Sequence, residues 1–157
     1  MPGRMLRPTD TRLPAAVRGF GLAGVLPQIA ALAIALAFEP WRFAALAGGF
    51  AYAAAIFSFL GGMWWGQALA FRRAGAGSYV AAILPALLAV ALFMPWVLGW
   101  DWPGPSLFWL GLLIAASPLV DVRLGLADRA FLRLRWQLSL TLGGLTLALG
   151  LVAMFFG

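Results

Sequence analysis

Few side chains in this sequence could do chemistry. It contains no Cys and no His, which removes thiolate nucleophiles, thiolate metal sites, and the commonest metal ligand and neutral-pH acid–base group. Lys and Asn are absent too, so all 11 basic residues are Arg. The carboxylates are Asp10, Glu39, Asp101, Asp121 and Asp128. Asp121 is the most suggestive, because Arg123 follows two positions later. The pair reads as a salt bridge closing an apolar stretch at the inner membrane boundary, in solvent or at headgroup level. Gln28 is the clearest polar residue deep inside an apolar run. Pro27 beside it leaves the carbonyl of Ala23 without its helical donor, so Gln28 marks either an interhelical hydrogen bond or a polar pocket near mid-membrane. Pro85 and Pro118 free the carbonyls of Ala81 and Ile114 in the same way. No nucleophile–base pair or metal set of the usual kinds is present. The chain is expected to be non-catalytic and to use no cofactor.

The elements that position these residues are restricted by composition. The chain is 64% hydrophobic and 10% charged, against roughly 25% charged in soluble domains. A soluble protein of this size could not hide so much apolar surface, whereas a bilayer acts as solvent for it. A spanning helix needs roughly 20 apolar residues. Five stretches qualify: 19–38, 43–71, 79–98, 105–120 and 137–156. The fourth is short unless its helix begins near Pro103, and the second is long and should tilt or run past the hydrocarbon edge. The predicted fold is an all-α, polytopic membrane bundle, a single domain over 19–157 after an Arg-rich segment, 1–18. Of the connections 39–42, 72–78, 99–104 and 121–136, only the last has room for structure of its own.

Orientation follows from the arginines. Arg4, Arg7, Arg12, Arg18, Arg72, Arg73, Arg123, Arg129, Arg133 and Arg135 fall on one side of a five-span chain, and only Arg42 on the other. The N-terminus is therefore predicted to be cytoplasmic and the C-terminus outside. The net charge of +6 raises nucleic acid as a partner, but topology accounts for the basic residues and none is expected. Arg129 and Arg133 lie one helical turn apart and suit anionic lipid headgroups. All five carboxylates fall outside the spans or at their edges, so no proton relay is visible. Trp41, Trp96, Trp100 and Trp102 fall at the predicted outer boundary, and Trp64, Trp65, Tyr79 and Trp136 near the inner one, as anchoring aromatics do. Ala35-Leu36-Ala37 resembles a signal-peptide cleavage site. The Arg-rich lead of 18 residues, with Pro27 and Gln28 inside the run, argues against cleavage. Abundant Ala, Gly, Pro and Arg suggest a GC-rich bacterial genome, and with it a multi-pass protein of the bacterial inner membrane.

Small residues let membrane helices approach closely, and three stripes of them recur at helical spacing. Gly48, Ala51, Ala55, Ser58, Gly62 and Gly66 form one in the second span, ending in a GxxxG pair. Ser139, Gly143, Thr146 and Gly150 form another in the fifth, and Gly21, Gly24, Gln28, Ala31 and Ala35 a third in the first. They are expected to be packing seams within one chain, with a dimer interface through the second span as the alternative.

The block SFLGGMWWGQAL, Ser58 to Leu69, resembles the signature of a family of membrane proteins, domain of unknown function 3429, which includes mitochondrial transmembrane protein 69. The Gly21–Pro27 opening of the first span and an Asp near the end of the fourth, Asp121, are similar to that family as well. The resemblance implies a small inner-membrane protein. Members often carry a polar residue such as His where this chain has Trp64. Within the block, Ser58, Gly61, Gly62, Trp65, Gly66 and Gln67 are the candidate recognition or packing residues. The expected role is an accessory, assembly or scaffold component acting through helix–helix contacts with a membrane-protein partner or a second copy. The alternative is a carrier or binder of a small neutral or lipophilic molecule.

Overall fold

The computed structural model describes residues 14–70, 75–125 and 129–156. Arg4, Arg7, Arg12, Arg72, Arg73, Asp10 and Asp128, with all but the last few residues of the 1–18 segment, lie outside the described residues. The first apolar stretch forms two helices, α1 (Ala15–Ala23) and α2 (Leu26–Ala37). The break at Gly24 and Val25 falls just before Pro27, which sits in the first turn of α2, where a missing N–H is tolerated. The hydroxyl of Tyr52 donates to the Gly24 carbonyl. Backbone opened by the break is thus satisfied from a neighbouring helix, as a site without water requires.

A 3₁₀ turn, Glu39–Trp41, leads into α3 (Arg42–Ala70), followed by α4 (Ala76–Val97), α5 (Gly104–Leu124) and α6 (Arg129–Phe156). Among the described residues, five helical units are long and apolar enough to cross a membrane, and the chain is an all-helical, multi-pass membrane protein. The 29 residues of α3 measure about 44 Å at 1.5 Å each, well over the roughly 30 Å hydrocarbon core. The long connection predicted for 121–136 is corrected: α5 continues to Leu124 and α6 begins at Arg129. Apolar counting stops at the first charges, whereas a helix continues until something ends it. Here Gly125 does so, with φ 63° and its N–H on the Asp121 carbonyl at 3.1 Å, a left-handed cap that favours Gly.

The longest close-packed seam joins α5 to α6. A Cβ added at Gly143 would lie 2.8 Å from the Ala115 nitrogen, and one at Gly150 2.8 Å from the Phe108 nitrogen. Ser139 and Thr146 are buried beside them, so this stripe is an internal seam. The first-span stripe also turns inward, with Gln28 and Ala35 fully buried. The second-span stripe does not. Gly48, Gly62 and Gly66 have open space where a Cβ would stand, and Ala51 and Ala55 are exposed. The inward face of α3 is instead Leu46, Phe50, Ala53, Phe57 and Leu60, packed on Leu107, Leu110, Ile114, Leu142 and Leu149. Small residues marked where backbones could approach, but the large apolar side chains of α3 decide which face fills the core.

At the bundle end opposite the α5–α6 connection, Arg42 donates from Nε to the Ala35 carbonyl at 3.0 Å and from Nη1 to the Phe156 carbonyl at 2.9 Å. A cation over the last carbonyls of two helices is favoured by the unpaired acceptors and by the helix dipoles. The arginine on the sparse side of the charge map therefore has a structural task.

Candidate functional site: a buried ion pair joining three helices

Three helices contribute to one polar cluster. Asp121 lies in the last turn of α5 and Arg135 in the second turn of α6, at 2% and 6% exposure. Arg135 donates to Asp121 Oδ2 from Nη2 at 2.9 Å and from Nε at 3.1 Å. Its Nη1 reaches Ser139 Oγ at 3.1 Å and its Nη2 also reaches Ser117 Oγ at 3.3 Å. Ser117 in turn donates to the Ile114 carbonyl at 2.7 Å. From α3, the Trp64 indole N–H donates to Asp121 Oδ1 at 2.7 Å, with Trp64 itself 2% exposed. Both carboxylate oxygens are thus held. A charge out of water is costly unless it is paired and hydrogen-bonded, and here each charge is both.

This arrangement corrects the expected pair. Asp121 is bonded to Arg135, while Arg123 is exposed. Nor is Asp121 an edge residue in solvent: it is the buried end of an α5 stripe through Leu107, Leu110, Ile114 and Ser117. Trp64 is likewise no headgroup anchor but the third member of the cluster. Arg135 was legible. The stripe of Ser139, Gly143, Thr146 and Gly150, extended one helical step backwards, lands on Arg135, whereas Arg129 and Arg133 fall off that face and are exposed. The apolar run of the fifth span begins at Gln137, two residues after Arg135.

The other candidate residues divide between faces. Gly61 is buried, and a Cβ there would meet the Ala82 carbonyl oxygen of α4 at 2.2 Å. Gly62 and Gly66 lie on the open side of α3. Trp65 is 41% exposed and meets Tyr79 edge-on at 5.0 Å. Ser58 and Gln67 are half-buried, and Ser58 lines a groove of about 520 Å³ between α3 and α4, with Ala51, Ala55, Val90 and Trp96.

Gln28 is 0% exposed and donates from Nε2 to Thr146 Oγ1 at 2.8 Å. The Thr146 hydroxyl in turn donates to the Leu142 carbonyl at 2.7 Å. The interhelical reading of Gln28 is therefore the geometry found, but Oε1 has no partner among the described residues. A buried acceptor left unpaired costs about 1–3 kcal/mol, while a hydrogen bond inside a membrane bundle returns roughly 0.6 kcal/mol. Gln28→Met should accordingly leave the stability of the bundle unchanged or raise it by up to about 1 kcal/mol, measured by thermal unfolding in mild detergent. A loss above about 2 kcal/mol would show that Oε1 is engaged in the working protein.

No curated protein and no solved structure matches the chain. The family model described as "Protein of unknown function (DUF3429)" matches residues 13–152, which hold the Trp64–Asp121–Arg135 cluster and the α5–α6 seam, and the chain belongs to that family.

Proposed function

We propose that the protein is a non-catalytic accessory or scaffold component of the bacterial inner membrane, acting through helix–helix contact along the outer face of α3. The observation that carries this reading is the second-span stripe. Gly48, Ala51, Ala55, Gly62 and Gly66 follow one another along a face that nothing among the described residues covers. Within a bilayer a bare small-residue face lets a second helix approach to backbone distance, where packing and weak Cα–H contacts hold it. The adjoining groove between α3 and α4 continues the same surface. Among the described residues, the buried pair Asp121 and Arg135 is engaged in holding α3, α5 and α6 together, which leaves this face as the most evident means of contact. The occupant is a membrane-protein partner or a second copy.

Replacing Gly62 and Gly66 together by Leu tests this. The double variant should insert and melt no lower than the parent does, since both positions are open, yet lose the partner or copy recovered from membranes in mild detergent. Unchanged recovery would remove the proposal. A carrier role for a small neutral or lipophilic molecule is the second reading, favoured by the apolar groove beside this face.

The same proposal places the N-terminus in the cytoplasm and the C-terminus outside, with exposed Arg123, Arg129 and Arg133 facing anionic headgroups at the inner surface. An alkaline phosphatase fused after Gly157 should be active, and one fused after Arg73 inactive. The reverse pattern would invert the map.

A further inference from the structure

Beside the ion-pair cluster, and away from the α3–α4 groove, a second cavity of about 300 Å³ lies between α1, α3 and α6. Its walls are apolar, from Val17 and Gly21 on α1, Ile56 and Met63 on α3 and Leu138 on α6, except at one corner, which is made by Arg135 and Ser139. The volume is at the lower end of the range for small-molecule sites. The α1 wall is thin: that helix has no buried residue, and Phe20 is 80% exposed. A chain-like molecule can therefore enter from the bilayer past α1 without disturbing the core.

The polar corner decides what kind of molecule fits. Arg135 has five N–H donors and no acceptor. Its bonds to Asp121, Ser117 and Ser139 use four of them, leaving one Nη1 proton outside this set. An occupant that carries an oxygen acceptor matches this donor-only corner. It must also be neutral. Asp121 already cancels the charge of Arg135, so an anionic head would bring a second, uncompensated negative charge into a buried site or break the pair, and either is expensive. We propose that this cavity holds one neutral single-chain lipid, its hydroxyl or ester oxygen at the Arg135–Ser139 corner and its chain between α1, α3 and α6.

The test uses the full chain in phosphatidylcholine nanodiscs and a monoacylglycerol carrying a diazirine in its acyl chain. After illumination, mass spectrometry should find the label concentrated on the cavity walls, at Phe20–Val25 and around Leu138. Unlabelled monoolein should displace it, and oleate should need about tenfold more. Met63→Trp, which fills the cavity, should reduce that labelling about tenfold, while Val90→Trp in the α3–α4 groove should not. Leu138→Phe replaces Met63→Trp if the latter fails to melt as the parent does. Label spread evenly over lipid-facing positions such as Leu140 and Phe155, without competition, would overturn the proposal in the unmodified chain alone. Equal displacement by oleate would overturn the neutral ligand.

Discussion

Exchanging Arg135 for methionine should destabilise the bundle by about 3–5 kcal/mol, the cost of stranding one charge of a buried pair. Asp121 would keep only the Trp64 N–H for one oxygen and would lose both bonds to the other. Asp121→Leu should cost a similar amount by stranding the guanidinium among Ser117 and Ser139. Trp64→Phe removes a single hydrogen bond to a charged group and should cost about 1.5–3 kcal/mol. The diagnostic variant is the double exchange Asp121→Leu with Arg135→Met. It removes both charges together with their desolvation cost, and should regain most of what either single change loses. Ser117 would still donate to the Ile114 carbonyl, so the exchange orphans no hydroxyl proton there. Unfolding in mild detergent measures all four, with exposed Arg133→Met as the control expected within about 0.5 kcal/mol of the parent. If Arg135→Met falls in that control range, the cluster does not hold the helices together. If the double variant is as unstable as the singles, the pair carries more than a staple's share.

The five spans were legible because each is a long apolar run, and a bilayer leaves the backbone no alternative to helix. The seam of α6 was legible as well, since Ser139, Gly143, Thr146 and Gly150 meet an equally close-packed α5. Charges do not mark the ends of the spans. Arg135 and Asp121 sit inside helices that continue past them, α5 on to Leu124 and α6 back to Arg129. Each charge neutralises the other, so neither behaves as the isolated ion that hydropathy penalises. Proximity in sequence chose Arg123 as the partner of Asp121, but two residues apart on a helix point to different faces. Arg135 lies across a tight helical hairpin on the facing seam. Trp64 was assigned to the headgroups by its type alone, while its position is set by the inward side of α3, on the same face as Phe57, Leu60 and Gly61. One-dimensional patterns identified the seams where both faces were small. They failed on α3, where the small face and the core face are different sides of the same helix.

Two neighbouring glycines on α3 should therefore respond in opposite directions. Gly61→Ala places a Cβ 2.2 Å from the Ala82 carbonyl oxygen and 3.3 Å from Pro85 Cγ. The obstacle is backbone, in a helix whose own hydrogen bonding is already interrupted at Pro85, so α3 and α4 must separate. Overpacking of this kind costs about 1–3 kcal/mol, and the melting transition in detergent should fall accordingly. Gly62→Ala meets nothing within 4 Å. Its only effect on the isolated chain is the better helix propensity of Ala, worth about 0.5–1 kcal/mol in favour of the fold. Gly66→Ala should behave like Gly62→Ala for the same reason. These signs separate the two tasks of the SFLGGMWWGQAL block: Gly61 with Trp64 builds the molecule, and Gly62 with Gly66 faces whatever comes to it. A Gly61→Ala protein as stable as the parent would mean that α3 and α4 do not meet at Ala82. A Gly62→Ala protein destabilised by more than about 1 kcal/mol would mean that the open face is covered by the chain itself, and the docking surface along α3 would go with it.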